Sequence, residues 1–147
     1  MANIPTPVLN TPNFPQVFGG QDGSTLKLDK YNQIDELEFI AFPQTVFDIL
    51  NTIHPQPEIT IYQITTKEYP YETEKGYYID SRFVNITDLQ PSDRQIILPT
   101  SQQIIDNLLS AEGQKYTWGG NYSSGIPALL DWYPPQHELD NTIASQW

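Results

Sequence analysis

The chain has 147 residues, of which 38% are hydrophobic and 17% charged, and a formal net charge of −11. That composition fits one globular domain, or a small domain plus part of another, and excludes collagen-like and disordered chains. Its seven Lys and Arg stand singly along the sequence, so it lacks the clustered cations that nucleic acid or an anionic membrane surface requires.

The absence of Cys excludes disulfides, thiolate metal sites and thiol catalysis within the chain. No apolar run approaches the roughly 20 residues that span a bilayer. The opening MANIPTPVLNTPNFP has no basic segment followed by an apolar core, so it does not read as a secretory signal. The expected compartment is the cytoplasm. If other residues precede Met1 in the natural protein, the periplasm or the outside is equally open.

In chain order, residues 1–24 are rich in Pro, Gly and Asn and read as extended chain followed by turns, docked through Val8, Leu9, Phe14, Val17 and Phe18. TLKLDK and IDELEFIAF alternate, which predicts two strands around Tyr31-Asn32-Gln33 within residues 25–42. QTVFDILNTI fits either period and is read as a strand, with His54-Pro55-Gln56-Pro57 as a break. EITIYQITT (58–66) is a strand, KEYPYETEKG a loop with an aromatic centre, and GYYIDSRFVNI (76–86) a further strand. Thirteen prolines and short, closely spaced strands predict a mainly β fold, a small antiparallel barrel or sandwich. DLQPSDRQIILP (88–99) reads as a linker. TSQQIIDNLLSAEGQ then carries Ile104, Ile105, Leu108 and Leu109 at helical spacing, with Thr100 or Ser101 as cap and Gly113 as stop.

Among side chains with chemistry, His54 and His137 lack metal-ligand spacing and read as surface residues, so neither a metal nor a cofactor is expected. Tyr62, Tyr69, Tyr71, Tyr77 and Tyr78 gather around the last strands. Exposed tyrosines stack on sugars or close over peptides, but alternation sends some of them inward, and Tyr77 and Tyr78 must face opposite ways. Asp80 and Arg82 share one face and read as a surface ion pair.

Helix, then Tyr116-x-Trp118-Gly119-Gly120, then a short polar loop and Gly125, resembles the start of the catalytic domain of NlpC/P60 peptidases, papain-like cysteine enzymes that cut bacterial cell-wall peptides. The strands before it resemble the SH3-like (SH3b) module that commonly precedes such domains and helps select short peptides. The resemblance implies an SH3b barrel over residues 1–90, a linker over 91–99, and the start of a papain-like α+β domain over 100–147. It also implies a substrate-binding set of Tyr116, Trp118, Gly119 and Gly120 with Tyr69, Tyr71 and Tyr78. The partners so implied are peptidoglycan peptides cut at γ-D-glutamyl-diamino acid bonds.

The family continues with Asp-Cys-Ser-Gly, whereas simple alignment here gives Pro127, Ala128 and Leu129. Ala cannot attack a carbonyl, so no activity is expected of the chain itself. Either the site is degenerate and the protein binds without catalysis, or residues 126–147 are an insertion and the nucleophile follows Trp147. Pro127 and Pro134-Pro135 preclude one long helix here, and no later strands follow to hold a catalytic His, which favours the second. A third possibility is a carbohydrate-binding β-domain using its tyrosines and Trp132. Leu129, Leu130, Trp132 and Tyr133 form an apolar stripe through which copies could associate.

Overall fold

A computed structural model of the chain describes residues 1–19, 27–31, 33–69, 71, 73–88, 97–113 and 125–133. The strands are β1 (Thr6–Leu9), β2 (Leu37–Ala41), β3 (Asp48–Gln56), β4 (Ile59–Thr65) and β5 (Tyr77–Asp80), and a 3-10 turn at Ser81–Phe83 follows β5. The helices are α1 (Phe14–Phe18), α2 (Ser101–Ser110) and α3 (Pro127–Trp132). The strands form one antiparallel sheet in the order β2-β1-β5-β4-β3. Among the described residues β2 and β3 do not pair, so the expected barrel is open along that seam.

The proline-rich arm, read from the sequence as extended chain and turns, contains an interior strand of the sheet, β1. β1 pairs with β2 along its whole length but meets β5 only at Leu9↔Tyr78, so Pro7 costs the sheet little by lacking an N–H. Further back, Ala2 bridges to Val84, its N–H donates to the Thr45 carbonyl and its own carbonyl accepts from Gln44 N–H. The arm thus joins the chain after β2 to the chain after β5. The same segment turns helical at Phe14, with Pro15 in the first turn where its missing N–H is harmless.

Three other expectations need correction. Residues 27–30 are not a strand. Asp29 instead accepts from Tyr31 N–H (2.7 Å) and Gln33 N–H (2.9 Å), a side-chain turn that competes with a ladder. β3 runs through Pro55 rather than stopping at His54, because an edge strand has no outer ladder to lose. β5 stops at Asp80, whose carboxylate accepts from Arg82 N–H and starts the 3-10 turn.

Period-two alternation sorts the apolar residues onto two faces. Val8, Ala41, Phe47, Ile64, Tyr77 and Ile79 cluster on one. Leu9, Leu37, Ile40, Ile61 and Phe83 lie on the other, beneath Phe14, Val17 and Phe18 of the α1 segment and Ile126, Leu129 and Tyr133 of the α3 segment. Residues 126–133, which the resemblance assigns to a second domain, therefore complete the core of the first. The proposed association stripe is largely consumed this way: Leu129 and Tyr133 are buried and Trp132 packs against the cluster.

α2 is capped as its sequence predicts. Thr100 accepts from Gln103 N–H, and the Gln103 side chain accepts from Thr100 N–H. All ten of its residues are exposed.

If α3 belongs to the core, Ile126→Ala should destabilise the protein by about 2–5 kcal/mol, as buried Ile truncations do. Urea denaturation measures it. A loss below about 0.5 kcal/mol, the range of a surface substitution, would place Ile126 outside the core.

Candidate functional site

The loop between β4 and β5 is fixed from below. Thr66 Oγ1 donates to the Val46 carbonyl (2.9 Å), and Glu68 Oε1 accepts from Val46 N–H (2.8 Å). The loop re-enters the sheet at Gly76, where φ is +79° and an added Cβ would lie 3.1 Å from Gln63 Nε2. Both features favour glycine there.

This anchoring brings Tyr69 and Tyr71 together. The Tyr69 ring stacks on Phe39 with centroids 3.9 Å apart, and meets Tyr71 and Tyr77 edge-on at 5.4 and 5.8 Å. The Tyr77 hydroxyl donates to the Tyr71 carbonyl at 2.5 Å. Burial pushes the Tyr69 phenol above its ordinary pKa, and the neighbouring Glu38 and Tyr71 push the same way. Tyr71 is 68% exposed, which leaves it able to meet a ligand. Tyr78 stands apart, on the opposite face beside Gln63 and the cluster beneath α1 and α3. The strand alternation that separates Tyr77 from Tyr78 was legible in the sequence. The partner Phe39 was not singled out there, because its contact with Tyr69 crosses the sheet. Tyr116, Trp118, Gly119 and Gly120 lie outside the described residues.

A second polar constellation joins β5 to α3. Asp80 is fully buried and accepts from Arg82 Nε at 3.0 and 3.1 Å and from Arg82 Nη2 at 2.5 Å. The Tyr133 hydroxyl donates to the same carboxylate. Arg82 lies over the rings of Trp132 (5.0 Å) and Tyr133 (4.9 Å), and Trp132 meets Phe83 edge-on at 4.5 Å. The sequence paired Asp80 with Arg82 but took the pair for a surface one. The ladder puts Asp80 opposite Ile61, on the face that α3 covers, so the carboxylate is dry. Its oxygens are occupied by structural donors, which makes it a clamp and not a catalytic base.

His54 is exposed, and its Nδ1 lies 3.3 Å from Thr60 Oγ1 rather than against Glu58. Among the described residues no three of His, Asp and Glu gather as a metal site would need, and no helix is long and apolar enough to cross a membrane. The predicted residues do bring together an exposed tyrosine, Tyr71, edge-on to the Tyr69 ring that stacks on Phe39. No protein-family model, curated protein or solved structure matches the chain.

Burial, and then the Asp80 carboxylate, push the Tyr133 phenol well above its ordinary 10.0, with Arg82 opposing. A phenol kept protonated by the fold contributes stability that is complete below about pH 10 and declines above it, where only the unfolded chain releases the proton. Tyr133→Phe removes the donor and should cost about 2 kcal/mol at pH 7. It also removes this alkaline loss, so the gap between wild type and variant in urea denaturation should narrow at high pH. An equal gap at pH 7 and pH 11 would contradict the clamp.

Proposed function

We propose that the chain is the substrate-recognition part of a bacterial NlpC/P60-type peptidase acting on cell-wall peptides at γ-D-glutamyl-diamino acid bonds, with no nucleophile of its own. The observation that carries this reading is the order of elements around the motif. Helix α2, with its capping box, precedes Tyr116-x-Trp118-Gly119-Gly120, and Gly125, with φ of +69°, stands just before helix α3. That is the order the resemblance requires of a nucleophile helix, except that the aligned position is Ala128, which offers only a methyl group.

The strand order supports an SH3-like reading of the first part. Joined between β2 and β3, the order β2-β1-β5-β4-β3 would be a five-strand ring in which four neighbour pairs are consecutive in sequence and the fifth sets the first strand, β1, beside the last, β5. The domain is then a meander barrel opened at one seam. Tyr71 over Tyr69 and Phe39 is the surface assigned to the peptide or its attached sugar.

One observation favours a second reading. Ile126, Leu129 and Tyr133 are spent in the core, so this segment closes the β-unit instead of presenting a helix to a cleft. The chain would then be a non-enzymatic SH3-like binder of peptidoglycan fragments or of a protein.

Calorimetric titration with L-Ala-γ-D-Glu-meso-diaminopimelate should show saturable binding without cleavage. Tyr71→Ala should weaken it about threefold to tenfold, the worth of one exposed aromatic contact. Peptide-free glycan strands serve as the control. Binding of glycan alone would support a sugar reader, and no binding of either would contradict the proposal. Asp-Cys-Ser-Gly in the reading frame past Trp147 would favour the peptidase over the stand-alone binder.

A further inference from the structure

Strand β3 ends the sheet, and every residue from Asp48 to Thr52 is exposed. Proteins commonly blunt such an edge with charge. Here the outer stretch carries a single acid, Asp48, while Ile49 and Leu50 are 42% and 63% exposed. Thr52 N–H donates to the side chain of Asn51 on the same strand (2.9 Å). In an antiparallel ladder the N–H and C=O of one residue point the same way, so the Thr52 carbonyl follows its N–H, and an added strand would take that donor over from Asn51.

A cavity of about 260 Å³ lies at the start of this strand. Val46, Phe47 and Ile79 contribute apolar wall, Ile49 and Ile86 are exposed at its edge, Asp48 supplies a carboxylate, and Met1 also lines it with its ammonium donating to the Asn85 carbonyl. Asp48 forms no ion pair among the described residues.

We propose that the β3 edge and this cavity form one binding site for an extended basic peptide. The peptide adds as a sixth strand, places one aliphatic side chain in the cavity, and sets a neighbouring Lys or Arg against Asp48. Two features select this occupant. Outward backbone donors and acceptors are met in register only by another extended backbone, with a side-chain pocket adding specificity. Asp48, without an ion pair among the described residues and on a chain of net charge −11, favours a basic partner over an acidic one. The site does not rest on the peptidase reading, since a γ-linked cell-wall peptide lacks the regular backbone that a ladder needs.

The probe is acetyl-Thr-Lys-Leu-Thr-Val-Thr-amide, titrated into the full chain by calorimetry and by amide chemical shift. Saturable one-to-one binding is expected, with shifts at residues 48–53 and at Ile79. Exchanging the probe's Lys for Glu should weaken it, and methylating alternate peptide nitrogens should abolish it. Thr52→Pro removes an outward N–H and should weaken binding about tenfold, roughly the upper worth of one hydrogen bond, while Tyr71→Ala should leave it unchanged. Absence of saturation, or equal binding of the N-methylated peptide to the unaltered protein, would overturn the proposal. So would a concentration-dependent dimer that occupies the edge and dissolves on Thr52→Pro.

Discussion

Asp80 is a carboxylate with no exposure to water, and a charge in that position is tolerated only when paired and hydrogen-bonded. Its partners come from two places in the chain. Arg82, two residues on, is supplied by the 3-10 turn that the carboxylate itself initiates. Tyr133 arrives from the end of α3, 53 residues away in sequence. Removing either leaves a dry anion short of a donor, a loss of several kcal/mol for the ion pair. The clamp therefore sets where α3 sits, and the α3 segment in turn places Ile126 and Leu129 against Leu9, Leu37, Ile40 and Ile61. The aromatic surroundings strengthen the arrangement, because Arg82 over Trp132 and Tyr133 gains cation–π attraction while its charge serves Asp80.

With α3 fixed, the two faces of the sheet take different roles. The face beneath α1 and α3 is closed by helices and by the clamp. The other carries its own apolar cluster, the Phe39–Tyr69–Tyr71–Tyr77 aromatics and the cavity beside β3. The recognition surfaces proposed above belong to that second face and to the open edge. The open seam between β2 and β3 leaves β3 as an edge, and the N-terminal arm keeps the roll together elsewhere by bonding to both residues 44–45 and residues 83–85.

Local patterns were legible in the sequence where a single force dominates. Alternation located β4 and the opposed faces of Tyr77 and Tyr78, and the Thr100-to-Gln103 spacing located the start of α2. What the sequence concealed depended on distant residues. Pro5 and Pro7 made β1 look like a docked arm, because nothing local tells that β5 would meet it at only one residue. Asp29 turned the end of an alternating segment by bonding its own backbone. The Asp80–Arg82 pair was visible, but its burial was not, since burial is conferred by a tyrosine 51 residues past Arg82. The apolar stripe of 129–133 was legible as a stripe, and its destination inside the chain was not.

The central claim is that α3 and the β-sheet are one cooperative unit held by Asp80 and Tyr133. Native-state hydrogen exchange tests it most directly. The amides of Leu129 and Tyr133, bonded within α3 to the carbonyls of Ile126 and Leu129, should exchange only with the global opening that releases β4 and β5. Exchange of these two amides as fast as those of the fully exposed α2, with β4 and β5 still protected, would contradict it.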